Sequence, residues 1–515
     1  MGSAPSSTAP AATPRRSTHG QILKSSVLIG GSSAFNIAIG IVRTKAMALL
    51  LGPAGFGLMG LYTSIVNLAQ CIAGMGVNSS GVRQIAAAAG SGDPESVKRT
   101  ATVLRRASLV LGLSGAVLLV VLSRPVSKLT FDSYERALPV AILSLAVLFK
   151  SVSDGQGALI QGLRRISDLA KISILGGLFG TIASVALVYI LRERGVAPSL
   201  IAIAGASLVF SWWFSRKVGL ETAALSAVQF GQEARALLRL GFAFMASGML
   251  TMGAAYAVRI MIVRRVGFEA AGLYQSAWTL GGLYVGFVLQ AMGADFYPRL
   301  TASVRDREEC NRLVNEQAEV SLLLAGPGII ATLAFAPLVV SLLYSSAFGP
   351  AVEVLRWICL GATLQVITWP MGFIIVAEGR QAIFFWSEVV YTAIHLGVAW
   401  VLVGHLGVNG AGVAFFISYV CHGLLVYPIV RWITGFRWSA SNRRLGLVFL
   451  AFIGLVFCSF YVLPFWLATA VGGLSVLSSA VYCLRALVRL VSPRSVPPAL
   501  YRLLVWGRLV SRGEQ

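Results

Sequence analysis

SSVLIGGSSAFNIAIGIVRTKAMALLLGPAGFGLMG, residues 25–60, reads as one membrane-crossing helix, a tight Gly52-Pro53 turn and the start of a second crossing. A helix needs roughly 20 apolar residues to cross a hydrocarbon core of about 30 Å, and positions 25–50 supply them. Arg43 and Lys45 stand inside that run. Each is costly there unless an anion, a partner or a water-filled cavity receives it.

The same pattern continues along the chain. Apolar runs of spanning length lie near 25–50, 56–79, 105–123, 137–161, 169–191, 198–215, 239–263, 272–297, 319–344, 352–376, 383–404, 408–431, 444–463 and 466–485. Of the 515 residues, 57% are hydrophobic and 12% charged, outside the range of soluble globular chains. The expected fold class is therefore all-α: a polytopic membrane protein of about fourteen transmembrane helices. The net charge of +22 does not point to nucleic acid, because the basic residues fall in short clusters between the apolar runs. The six cysteines show no CxxC or Cys/His ligand spacing, so neither a disulfide framework nor a metal site is expected.

Most loop cations fall on one side of this succession of spans, including Arg83, Lys98, Arg99, Arg164, Arg165, Arg216, Arg235, Arg299, Arg307, Arg437 and Arg443. The positive-inside rule then places both termini in the cytoplasm of a multi-pass protein, the clusters acting as topology determinants and secondarily as attractors of anionic lipid headgroups. Residues 1–21 are rich in Ser, Ala, Pro and Thr, without an apolar face, and are expected as a disordered tail. The next apolar stretch lacks a small-residue cleavage pattern and is expected to stay as the first span. Asp93-Pro94-Glu95 reads as an N-cap with proline at the first helical position, opening a helix that runs into the third span. Residues 486–515 end in Pro498–Arg512, where Leu, Val and Trp alternate with Arg, as in a basic helix lying on the inner leaflet.

An internal repeat divides the chain. Gly52-Pro53-Ala54-Gly55-Phe56-Gly57-Leu58-Met59 after the first span has a counterpart in Gly267-Phe268-Glu269-Ala270-Ala271-Gly272-Leu273-Tyr274 after the seventh. An even number of spans separates the copies, so the repeats are parallel and a substrate route between them is expected. The resulting division is an N-lobe at 22–216, a cytoplasmic linker at 217–238, a C-lobe at 239–432 and an added hairpin at 443–485. Gly52–Gly57 follows a spanning helix rather than a strand, so it is a turn and not a nucleotide-binding loop.

Intramembrane charge is the pointer to function. Arg43, Lys45 and Arg259 fall at matching depth on opposing lobes, and Lys150 lies nearer mid-membrane. Together they suggest a two-sided cationic clamp for an anion, with Arg forking onto phosphate oxygens and Lys acting as a point charge. Lys45 and Arg259 also fit as snorkelling residues. Lys150 lies one helical turn from Asp154, which gives it a ready neutralising partner. Asp154, Asp295 and Glu388 are candidates for ion coupling, with His395 on the face of Glu388. Glu388 also fits as an interfacial packing residue and His395 as a satisfied core residue. Asn36, Asn67, Gln70, Gln156, Gln161, Tyr256, Gln275, Gln290 and Gln365 either line a sugar passage or bind helices together.

Lys45 with Gly52-Pro53-Ala54-Gly55-Phe56-Gly57, Gln161-Gly162-Leu163-Arg164, Phe296-Tyr297-Pro298-Arg299-Leu300, Ala377-Glu378-Gly379-Arg380 and Ser387-Glu388-Val389 occur in an order that resembles the Wzx-type O-antigen and enterobacterial-common-antigen translocases. These belong to the multidrug/oligosaccharidyl-lipid/polysaccharide superfamily. The resemblance extends to about Trp432 and leaves out the terminal hairpin and the leader. It implies a flippase of the bacterial cytoplasmic membrane. Such a protein moves polyprenyl-diphosphate-linked oligosaccharide, an O-antigen or exopolysaccharide repeat unit, between leaflets by alternating access of two six-helix lobes. It is not an enzyme and uses no cofactor. Lys45 and Glu388 carry over as its basic and acidic residues, and polysaccharide polymerase or chain-length proteins are implied as partners. Without a Walker A sequence, the chain is expected to draw on a gradient of H+ or Na+. Two other readings compete. A multidrug exporter of organic cations would want a chamber of opposite sign. A polysaccharide polymerase or ligase would want a long outer loop and a catalytic constellation.

Overall fold

The computed structural model of the chain describes residues 16–220, 223–224 and 226–490. Residues 1–15 and 491–515, which hold most of both expected tails, lie outside the described part, as do the side chains of Gln290 and Asp295.

The described residues form helices in chain order: α1 (Arg16–Gly74), α2 (Val77–Gly90), α3 (Pro94–Val121), α4 (Ser123–Phe131), α5 (Ala137–Ile142), α6 (Ser144–Gly162), α7 (Ile166–Leu191), α8 (Val196–Arg216), α9 (Ala227–Arg265), α10 (Phe268–Ala302), α11 (Arg307–Ala334), α12 (Ala336–Leu343), α13 (Ala351–Ala377), α14 (Gln381–Leu406), α15 (Val408–Thr434), α16 (Ala440–Val462) and α17 (Phe465–Leu490). Hydrocarbon leaves every backbone donor and acceptor to be satisfied within its own helix, which is why an apolar chain of this kind is built from helices. Two of the long apolar stretches, Gly31–Gly74 and Ile166–Arg216, are each long enough for two crossings. With those divided and α10 included, the crossings follow the fourteen expected from hydropathy.

Four of the differences in boundary shape the fold. The Gly52-Pro53 turn is only one residue deep: Gly52 alone leaves helical geometry (φ 64°, ψ −176°), and the helix resumes at Pro53. Proline fits there because the first residues of a helix need no intrahelical N–H partner. The second crossing ends at Gly74, and left-handed Gly76 starts α2, a separate helix that hydropathy had merged into a loop. The ninth expected span breaks at Phe335, and its end is the short α12, with Pro337 in its first turn. Finally, α1 starts at Arg16, inside the expected tail. The expected cap on α3 is present, Asp93 Oδ1 accepting from Glu95 N at 3.0 Å.

Helices α1–α8 pack mainly on one another, as do α10–α15, whereas α9 touches both groups, lying against α1 and α2 as well as α14. The two groups meet at both ends of the bundle. At the Gly52 end, α1 lies against α10, and a Cβ on Gly57 would collide with Phe268 O while one on Gly272 would collide with Pro53 O. Small residues let helix backbones approach this closely. Phe56 adds edge contacts to Tyr344 and Phe348, with ring centroids 5.4 and 5.7 Å apart. Arg136, paired to Glu193 at 2.9 Å, covers the Phe131 and Phe268 rings. At the other end, Gly76 abuts Gly241. The hairpin α16–α17 packs on α11, where Phe449 is buried against Gly326.

Candidate substrate cavity and ion-binding residues

A helix turns by about 100° per residue, so residues four apart share a face and residues two apart do not. Arg43 and Met47 share the α1 face that lines a cavity of about 610 Å³ among α1, α6, α7 and α8. Lys150 and Asp154 enter it from α6, Asn67 from the second arm of α1, Gln161 from the end of α6 and Ser173 from α7. The cavity therefore joins two cations to amide and hydroxyl groups suited to phosphate and sugar.

Its hydrogen bonds settle the pairing of Lys150 and Asp154. Lys150 Nζ donates to Asn67 Oδ1 at 3.0 Å. Asp154 Oδ2 accepts instead from Gln70 Nε2 at 3.1 Å, and Ser151 Oγ donates to Gln70 Oε1 at 2.9 Å. No carboxylate lies within ion-pairing distance of Arg43 or Lys150 among the described residues. Asn67 holds Lys150 in place, and neither cation is consumed by a direct ion pair among the described residues. Of the other polar span residues, Asn36 bonds Ser173 at 2.7 Å, whereas Gln156 accepts from fully buried Ser211 at 2.7 Å and acts as interhelical glue.

The structure does not bring the four expected cations together. Lys45, two positions past Arg43, faces away and donates from Nζ to Ser341 O at 3.1 Å, near the start of the segment that links α12 to α13. Arg259 is buried at 6% exposure between α9 and α10. Its Nε donates to Gln275 Oε1 at 2.8 Å, its guanidinium donates to Ala255 O at 2.7 Å, and its CZ lies 5.7 Å from the Tyr274 ring centre. Arg259 thus neither snorkels nor lines the cavity, whose cations, Arg43 and Lys150, both come from the N-terminal half. Equal depth in the sequence did not imply a common facing direction.

The C-terminal half holds two smaller spaces of about 330 and 300 Å³, both lined by Glu388, Tyr391, Tyr419 and Gln365. Glu388 Oε1 lies 3.8 Å from His422 Nε2. His395, expected on the same face, instead bonds through Nδ1 to Ser418 Oγ at 3.0 Å and is satisfied as a core residue. His422 escaped sequence reasoning because it comes from α15, and nothing local in the chain links it to α14. Asp295 belongs to α10, its side chain outside the described part.

Two pseudo-repeated helix groups, a cationic cavity in one and an acidic, aromatic one in the other, define a membrane transporter fold. The chain belongs to the family of polysaccharide biosynthesis proteins, which it matches over residues 46–353. It is 21% identical over 411 residues to the lipid III flippase of Escherichia coli (strain K12), covering 78% of this chain and 96% of that one. Among solved structures, the lipid II flippase MurJ in an inward closed conformation aligns with a TM-score of 0.67 at 13% identity, over 90% of this chain and 100% of that one. An inward-facing multidrug resistance MATE transporter of the MOP superfamily aligns with a TM-score of 0.64 at 16% identity, over 78% and 94%. The fold is that of these solved structures.

Proposed function

We propose that this protein is a flippase for a polyprenyl-diphosphate-linked oligosaccharide. One observation carries the reading: Arg43 and Lys150 line the same 610 Å³ cavity, and no carboxylate of the described residues pairs with either. A diphosphate cannot cross hydrocarbon unaided, and two unneutralised cations offset its desolvation. Gln161 and Ser173 offer hydrogen bonds to the first sugars, Asn67 positions Lys150, and the polyprenyl tail stays in lipid. The lipid III flippase relationship and the polysaccharide biosynthesis family support the same cargo class.

The loop cations support an orientation with both termini in the cytoplasm and the Gly52 end outside the bacterial inner membrane. In that frame the units 22–216 and 239–432 rock about their contact, linked by 217–238, and open the cavity alternately to each leaflet. The hairpin at 443–485 rides with the second unit. An H+ or Na+ gradient supplies the energy, with Asp154, Asp295 and Glu388 as the acidic groups able to sense it. Export to the outer leaflet would serve a polysaccharide polymerase and chain-length proteins there.

The acidic lining at Glu388 favours a second reading, export of organic cations, as in the multidrug transporters that share the fold. Proteoliposomes carrying a fluorescent polyprenyl-diphosphate oligosaccharide separate the two. Flipping should be seen with the wild type and lost in Arg43→Ala combined with Lys150→Ala. Undiminished flipping by the double variant, or export of ethidium without any flipping, refutes the proposal.

A further inference from the structure

Asp154 is a wall shared by two spaces. One of its sides faces the cavity of Arg43 and Lys150. On the other lies a separate pocket of about 230 Å³ enclosed by α1, α2, α3, α6 and α9, lined by Gln70, Asn78, Ser108, Ser151 and Asp154, with Met245 of α9 closing it. Neither the cavity site nor the repeat accounts for this pocket.

Among its lining residues, Gln70, Asn78, Ser79, Ser108, Ser151 and Asp154 carry side-chain oxygens. Ser108 is 4% exposed, and its Oγ is buried without a hydrogen-bond partner in the structure. That is unusual, because a hydroxyl in a helix ordinarily bonds back to a carbonyl one turn earlier, as Ser151 does to Val147 O at 2.9 Å. Gly155, next to Asp154, is what makes room for Ser108 Oγ, and a Cβ there would collide with it. Gln70 orients the carboxylate by donating to Oδ2, and its own Oε1 faces Ser151. A carboxylate, an orphaned hydroxyl and an amide oxygen held in one recess make a hard-ligand set for a small cation.

We infer that the pocket bounded by Asp154, Ser108 and Gln70 is a sodium site, and that it shares its carboxylate with the substrate cavity. The charged groups around Asp154 are Lys150 and Arg43, both cationic. A cation bound at Asp154 offsets the negative charge that Asp154 presents to the cavity, so Lys150 and Arg43 attract an anion more strongly. By linkage, an anion in the cavity strengthens sodium binding by the same factor. This second statement rests on the flippase reading; the sodium site itself does not. Because Cys71 Sγ donates to Met245 O at 3.6 Å across the pocket mouth, the site also lies where the N-terminal half touches α9.

The test is a thermal-shift titration of the full-length protein in detergent, without substrate, at constant ionic strength. NaCl is exchanged for N-methylglucamine chloride. A ligand that binds only the folded state at one hundred times its Kd stabilises by about 2.7 kcal/mol, a readily measured rise in Tm. The wild type should show this rise with Na+. Asp154→Asn, Ser108→Ala and Gly155→Ala should lose it, and Glu135→Gln, at an exposed carboxylate away from the pocket, should keep it. Ser108→Ala guards against misfolding, since it removes one oxygen and adds no bulk. A rise that survives in Asp154→Asn and Ser108→Ala, or that is lost in Glu135→Gln, overturns the site. So does the absence of a sodium response in the wild type, or a response produced only by lowering the pH in sodium-free buffer. Failure of flipping in proteoliposomes with the sodium shift intact would reject the cargo and leave the site standing.

Discussion

Lys150→Met is the most direct challenge to the cavity. The substitution keeps a long unbranched side chain on α6 and removes the ammonium whose contact in the described residues is Asn67 Oδ1 at 3.0 Å. Because that partner is a neutral amide, the charge is not consumed by a direct ion pair, although Asp154 shares the cavity. The variant should therefore lose one charge-assisted hydrogen bond to a diphosphate, about 1.5–3 kcal/mol, with 2 kcal/mol weakening affinity by roughly 30-fold. Asn67→Ala leaves the ammonium in place and should change the affinity by no more than about threefold, since only its orientation is relaxed. The assay is the initial flipping rate in proteoliposomes at subsaturating labelled lipid, with the rate at saturation measured alongside. Lys150→Arg should restore part of the loss, as it keeps the charge but exchanges a point cation for a fork. If Lys150→Met stays within twofold of wild type at subsaturating lipid, Lys150 does not hold the diphosphate and the cavity has been misread.

Other outcomes follow from where the remaining side chains lie. Lys45→Ala should flip within about twofold of wild type, because Lys45 serves a backbone carbonyl at Ser341 rather than the cavity. Arg259→Met should lower Tm without changing apparent substrate affinity, since it leaves Gln275 Oε1 without its donor in a packed interface; a large affinity change with unaltered Tm would restore the two-sided clamp. Phe449→Ala should destabilise by about 3–5 kcal/mol in denaturation of the detergent-solubilised protein, since the ring is 1% exposed and seated on Gly326. A shift under 1 kcal/mol would show that the hairpin is only loosely attached.

The fold was legible because hydropathy over about 20 residues is a strong, local signal and because one rule, satisfied backbone groups in lipid, converts it into helices. What it could not register were single-residue events: the kink confined to Gly52, the left-handed Gly76 that frees α2, and the break at Phe335. The site was legible by residue type and only partly by place. Arg43, Lys150 and Asp154 share a cavity as their charges suggested, but the facing directions of Lys45 and Arg259 depend on helix rotation, which a repeat read from glycine turns does not fix. The partnership of Glu388 with His422 joins two helices, and Ser108 drew no notice because serine inside a span is ordinarily self-satisfied.

Gly57 and Gly272 occupy corresponding places in the two repeats, and there the halves touch through peptide groups with no side chain between them. Dispersion between atoms already in contact is forfeited by a quarter to a half when they part by about 0.5–1 Å. A contact made by flexible side chains yields gradually as they reach after one another, and re-forming it costs rotamer entropy. A contact made by backbone alone does neither. At that one point, parting the halves would break the contact sharply, with no side chain to follow it.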